Sequence, residues 1–157
     1  MNELKMMFDD LLDSYRLLLG VNCTTHEGDC RNALRGSVND DAAGVYVIHD
    51  RILKKVLYIG SSGKISPDLT PSKSTVKNRL FNANTPYHFD KNEDVWRYNP
   101  TSSGVPPKGY QDCINLSALQ ITILRTPPNM IPAALEHILI QGYINQYAKL
   151  PTANQKI

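Results

Sequence analysis

Two short β-rich runs at residues 44–49 and 56–60, separated by the polar stretch 50–55, constrain this chain more than any other feature. Runs of that length joined by a polar connection form an antiparallel hairpin. Residues two apart on a strand face the same way, so Val45, Val47, Leu57 and Ile59 are expected on one face, packed against helices. Gly44, Tyr46, Tyr58 and Gly60 then share the other face. Its two phenols are flanked by positions with no side-chain bulk, and the expectation is an open floor.

The hairpin belongs to a chain of 157 residues, enough for one domain with a full core and too short for two. Leu4, Met7, Phe8, Leu11, Leu12, Tyr15, Leu18 and Leu19 make a helical stripe over residues 2–19, which Gly20 ends. Residues 21–43 turn polar and glycine-bearing and read as loop or short irregular elements. After the hairpin come a loop at 61–72 and a helix over 73–81. Residues 82–117 hold Pro86, Pro100, Gly104, Pro106, Pro107 and Gly109 with no clear period, and read as an insertion on the outside of the fold. A third strand at 119–124 leads through Pro127 and Pro128 into a helix over 132–147. The fold class is therefore α+β. The coarse order is β-β-α-β-α, with an N-terminal helical extension (1–43) and an insertion before the third strand (82–118).

Acidic Glu3, Asp9, Asp10 and Asp13 stand where a signal peptide needs a basic segment, and polar residues interrupt the apolar run near Leu11 to Leu19. Neither export nor a membrane span is expected. A cytoplasmic setting keeps Cys23, Cys30 and Cys113 as reduced thiols. Cys23, His26 and Cys30 have zinc-like spacing, but a closed site needs a fourth ligand and Cys113 is far away in sequence, so an acidic loop with free thiols is the favoured reading.

Net charge is only +2, yet its distribution is uneven. Residues 1–50 hold nine acids against four bases, and residues 51–157 hold thirteen bases against six acids. Lys54, Lys55, Lys64, Lys73, Lys77 and Arg79 give a local excess of the kind that attracts a phosphate backbone. One carboxylate stands out for the opposite reason. Glu136 is the only formally charged residue between Thr126 and Ala148, among Ala133, Ala134, Leu135, Ile138, Leu139 and Ile140. Burying it is costly unless it is compensated, and a bound cation is one compensator; a position on the solvent side of the helix is the other reading.

Gly44-Val45-Tyr46, then Tyr58-Ile59-Gly60, Arg79 on the next helix, Glu136 on a later one and Asn154 after Leu150-Pro151 resemble, in order and spacing, the GIY-YIG nuclease superfamily. The resemblance spans roughly residues 43–154, with the insertion outside it. It implies a three-stranded antiparallel sheet with flanking helices and a metal-dependent endonuclease. Tyr46 would be the general base or help to position it, assisted by Tyr58. Arg79 would hold the scissile phosphate, Glu136 would ligate a single Mg²⁺ (with Mn²⁺ as a substitute), and Asn154 would support the site. A phenol of ordinary pKa near 10 is a poor base at neutral pH, so Tyr46 needs the cation, Lys64 or Arg79 to lower it. The chain departs from the family in carrying valine at the centre of the first motif. It also has Ala83 where many members place a histidine or lysine one turn after the arginine, and His88 is the candidate substitute.

Members that are nearly all catalytic domain include type II restriction enzymes, which read double-stranded DNA through an N-terminal extension and core insertions. Both features are present here, and the insertion carries Arg97 and Gln111, whose side chains suit base edges; Lys64 and Lys73 suit phosphates. A sequence-specific restriction endonuclease working as a homodimer is the first expectation. A small structure-specific or repair nuclease is the alternative, and a DNA-binding module that has lost catalysis is a third reading.

Overall fold

The computed structural model describes residues 22–27, 43–62, 75–81, 86–90, 92–99, 106, 109–126 and 130–154, with the backbone alone at 22–27, 77 and 78. In chain order the elements are β1 (Asn22–Glu27), β2 (Gly44–Asp50), β3 (Lys55–Ser62), α1 (Val76–Phe81), β4 (Tyr87–Asp90), β5 (Val95–Tyr98), β6 (Cys113–Asn115), β7 (Leu119–Arg125) and α2 (Pro132–Tyr147). A 3₁₀ turn, Leu116–Ala118, precedes β7. The helix expected over 2–19 lies outside the described residues, as do Lys64 and Lys73. No helix among the described residues is long and apolar enough to cross a membrane.

The fold is α+β. Its main sheet is antiparallel with strand order β1-β7-β2-β3, so the three expected strands lie side by side and β1 adds a fourth at the β7 edge. That edge strand comes from a segment whose polar composition suggested a loop. Its partner supplies the missing hydrophobic signal, because Cys23 to His26 pair with the apolar run Ile121 to Leu124. Of the three residues with zinc-like spacing, Cys23 and His26 fall within β1 rather than a loop, and Cys30 lies outside the described residues.

The hairpin forms for a local reason. Asp50 Oδ1 accepts from the Ile52 and Leu53 amides at 2.9 and 2.8 Å, closing the turn, and Lys54 completes it in the left-handed region at φ 56°. A register shift between Ile48 and His49 leaves Tyr58 opposite Ile48 and Val56 opposite His49, with Leu57 as the extra residue. Simple alternation therefore misplaces one side chain. Val56, not Leu57, packs with Val45, Val47 and Ile59 under α2, against Leu135, Leu139, Ile140 and Tyr143. Leu57 joins the opposite layer.

That opposite layer corrects the reading of the insertion as an appendage. Strands β4, β5 and β6 build a second antiparallel sheet, whose inward residues Phe89, Trp96, Tyr98 and Ile114 pack against Tyr46, Ile48, Ile121 and Ile123 of the main sheet. Trp96 and Phe89 are each only 1% exposed. Far from lying outside, the insertion supplies, among the described residues, six of the fifteen buried residues of one core layer, and the face expected to be open is roofed by aromatic rings. The hairpin connection is tied to it as well: the Tyr110 hydroxyl donates to Asp50 Oδ2 at 2.8 Å.

Helix α2 starts without a side-chain cap, but Pro132 at its first turn has no N–H to leave unsatisfied. It ends at Ala148, which adopts the left-handed conformation and returns its N–H to the Ile144 carbonyl at 2.8 Å.

Candidate active site

Two glycines let the strands approach. A Cβ on Gly44 would stand 2.2 Å from the Leu124 carbonyl oxygen of β7, so only glycine lets β2 and β7 pair there. A Cβ on Gly60 would stand 2.7 Å from Cζ and Oη of Tyr46 and from Cε1 of Tyr58. The second glycine is thus the bed on which both phenol rings rest, with centroids 6.0 Å apart.

Tyr46 is buried and Arg79, in the last turn of α1, is exposed, yet the guanidinium hydrogen-bonds the Tyr46 hydroxyl. The Tyr46 hydroxyl is in turn bonded to Tyr58. Burial pushes the Tyr46 phenol far above its ordinary value, Tyr58 adds to the shift, and Arg79 offsets only part of it. Tyr58 is raised too, first by burial and then by the Glu136 charge, with Arg79 again opposing. Arg79 by itself does not offset the burial of Tyr46.

Glu136 is half-buried on α2, and its Oε2 accepts a hydrogen bond from the Ser61 hydroxyl next to Gly60. Its charge is felt by both tyrosines. It is neither a solvated surface carboxylate nor a fully buried one. Four of the expected residues, Tyr46, Tyr58, Arg79 and Glu136, therefore form one coupled cluster on β2, β3, α1 and α2.

Asn154 reaches the cluster through the backbone. It is buried, its Oδ1 accepts from the Ile59 N–H at 2.9 Å, and its Nδ2 donates to the Ile59 carbonyl at 2.9 Å. Beside it, the Ala153 N–H donates to the Leu57 carbonyl at 2.7 Å. Strand β3 is the sheet edge, so these bonds occupy backbone groups that a neighbouring strand would otherwise take. Asn154 is a positioning residue, holding the stretch that carries Tyr58 and Gly60.

The expected DNA-contacting residues fare unevenly. His88 lies on β4 rather than a loop, is buried, and faces Arg97 across the ladder; burial lowers its pKa, with Asp90 opposing and Arg97 reinforcing the shift. It is not brought to the tyrosine cluster, and the turn after Arg79 gains no replacement from it. Arg97 is half-buried and already paired, with Asp90 at 3.3 Å and with Glu93. Gln111 is exposed just before β6.

Sequence reasoning missed two kinds of support. Ser61 orients Glu136, and nothing in its local sequence marks that role. Tyr87 and Trp96 pack on Tyr58 with centroids 5.2 and 6.1 Å away; the alternation Tyr87, Phe89 and Trp96, Tyr98 around a polar turn was the available signal.

The donor set fits a hard divalent cation. Glu136 offers one carboxylate steadied by Ser61, and Mg²⁺ takes one or two carboxylates, completing its shell with waters and substrate phosphate. No group of three or more His, Cys, Asp or Glu gathers among the described residues. Comparison of the chain with protein-family models, curated proteins and solved structures gave no match.

Proposed function

We propose that the chain is a metal-dependent endonuclease of the GIY-YIG type that hydrolyses phosphodiester bonds in double-stranded DNA. The observation that carries the reading is the convergence of Tyr46, Tyr58, Arg79 and Glu136 from four separate elements into one coupled cluster. Hydrolysis of a phosphodiester accumulates negative charge on the phosphoryl oxygens. Exposed Arg79 can hold those oxygens with its free fork while one donor remains on Tyr46. Glu136 would hold Mg²⁺, which when bound supplies Lewis-acid polarisation of the phosphate and a more acidic water. Tyr46 would orient the attacking water and, with Arg79 and the bound cation offsetting its burial, take the proton that water releases as it attacks the phosphorus. Tyr58 extends that chain, and Asn154 fixes the strand beneath it.

Within this class a sequence-specific restriction enzyme is favoured by the second sheet, which packs on Tyr58 and carries Arg97 on its central strand, with Gln111 exposed just before its edge strand β6. Such an enzyme would cut both strands as a two-fold dimer. Incubation with plasmid DNA with and without Mg²⁺ tests the reading, and sequencing of product ends separates restriction from structure-specific cutting. Defined ends at a repeated sequence are expected; absence of cleavage with Mg²⁺ and with Mn²⁺ contradicts it.

A further inference from the structure

At the turn end of the hairpin, about three residues along β2 from Tyr46 and so ~10 Å away, a cavity of about 300 Å³ opens on the α2 side of the sheet. Three lysines line it: Lys54 from the turn, Lys55 from the start of β3, and Lys149 from just beyond the end of α2. The Lys55 ammonium is turned to the Tyr110 ring, 5.1 Å from its centroid, which leaves Lys54 and Lys149 as the charges at the cavity. Its walls are His49, Tyr143 and Tyr147, and no carboxylate lines it among the described residues. Such a collection of like charges is unfavourable unless something offsets it. The C-terminal end of α2 contributes roughly half a negative charge beside Lys149, which leaves most of the positive charge at the cavity uncompensated. Backbone geometry places two of these lysines: Lys54 itself is at φ 56°, and Lys149 follows Ala148 at φ 54°.

The two tyrosine rings lie 4.5 Å apart between centroids at 60° to each other. Tyr143 is buried in the core at 6% exposed, and half-buried Tyr147 is the ring that presents aromatic surface beside the charges. The size is at the lower end of the ~300–1,000 Å³ usual for small-molecule sites, enough for one nucleotide. We propose that this cavity binds a nucleotide, its phosphate between Lys54 and Lys149 and its base against Tyr147. Lysine ammonium groups act as point charges toward phosphate, and a base stacks on an aromatic face whatever its identity. The nucleotide is either free or one unit of a nucleic-acid strand, and the chemistry of recognition is the same. The site shares no side chain with the Tyr46 cluster, so it stands or falls apart from the nuclease reading.

Calorimetric titration without divalent metal, using AMP, inorganic phosphate and a 5′-phosphorylated oligothymidylate, tests it. Saturable AMP binding is expected, with inorganic phosphate at least ~10-fold weaker because it lacks the base. The double variant Lys54→Gln, Lys149→Gln changes two exposed side chains and should keep the parental melting temperature while losing at least ~10-fold in AMP affinity, and Glu136→Gln should retain it. AMP that competes with the oligonucleotide assigns both to this site. An oligonucleotide that alone binds, and is lost in the double variant, assigns a strand nucleotide. No saturable binding of any probe up to about 10 mM overturns the proposal; so does AMP affinity unchanged in the double variant, or phosphate binding as tightly as AMP.

Discussion

Replacing Asn154 by alanine should destabilise the protein and disorganise the strand that carries Tyr58 and Gly60. The amide makes two hydrogen bonds of 2.9 Å with the Ile59 N–H and carbonyl, at a residue 9% exposed. Truncation strands two backbone groups, and each buried group left unpaired costs ~1–3 kcal/mol. Because β3 is the sheet edge, water can reach part of the gap, which places the loss in the lower half of that sum, about 2–4 kcal/mol. For a domain of this length that corresponds to a fall in Tm of roughly 5–12 °C. Urea unfolding followed by the fluorescence of Trp96, the only tryptophan and 1% exposed, reads the change directly. The midpoint should fall with little change in slope, since the area exposed on unfolding is nearly the same. Asn154→Asp should not restore stability, because its second oxygen faces the Ile59 carbonyl. A loss below ~0.5 kcal/mol, the scale of an ordinary surface substitution, refutes the bracket.

Gly60→Ala places a Cβ 2.7 Å from both tyrosine rings, and overpacking of this kind costs ~1–3 kcal/mol; near-ultraviolet circular dichroism should change and cleavage should be lost, whereas an unaltered aromatic spectrum contradicts the packing. Alkaline pH should also unfold the protein: Tyr46, Tyr58, Tyr98, Tyr110 and Tyr143 are all held above their ordinary pKa, mainly by burial. A group raised on folding contributes stability that is intact below its unfolded pKa, about 10 for tyrosine, and is lost as pH rises beyond it, at ~1.4 kcal/mol per pH unit for one fully buried phenol. Phenolate absorbance should therefore appear together with loss of the folded circular dichroism signal, and ionisation of most tyrosines near pH 10 in a still folded protein contradicts the burial argument. Arg97→Ala breaks partly exposed ion pairs with Asp90 and Glu93, and such pairs are worth ~0–1 kcal/mol, so stability should barely move. If the second sheet reads bases, Arg97→Ala and Gln111→Ala relax the preferred cleavage sequence, and an unchanged preference in both excludes that role.

Much of the tyrosine face was legible because strand alternation is a local rule: it put Tyr46, Tyr58 and Gly60 together from their spacing alone. Glu136 was legible as the lone charge of an otherwise uncharged helix. Leu57 was not, because a bulge depends on how two strands meet and leaves no mark in either one. The second sheet was hidden by four-residue strands set among prolines and glycines, too short for a period to emerge. β1 was hidden because its pairing partner, Gln120 to Arg125, lies about 100 residues away. The role of Asn154 is equally nonlocal: the strand it completes is 95 residues earlier.

The central claim is that Glu136 holds the metal that an endonuclease site of this kind requires, and Glu136→Gln tests it most directly. Glutamine keeps the size and an acceptor for Ser61 while removing the charge. With Mg²⁺ present, the parent should cut plasmid DNA and the variant should cut at least ~10²-fold more slowly, the scale of losing charge stabilisation at a reacting phosphate. Melting temperature and DNA affinity should stay near those of the parent. Cleavage by Glu136→Gln at the parental rate, with the same Mg²⁺ dependence, contradicts the account.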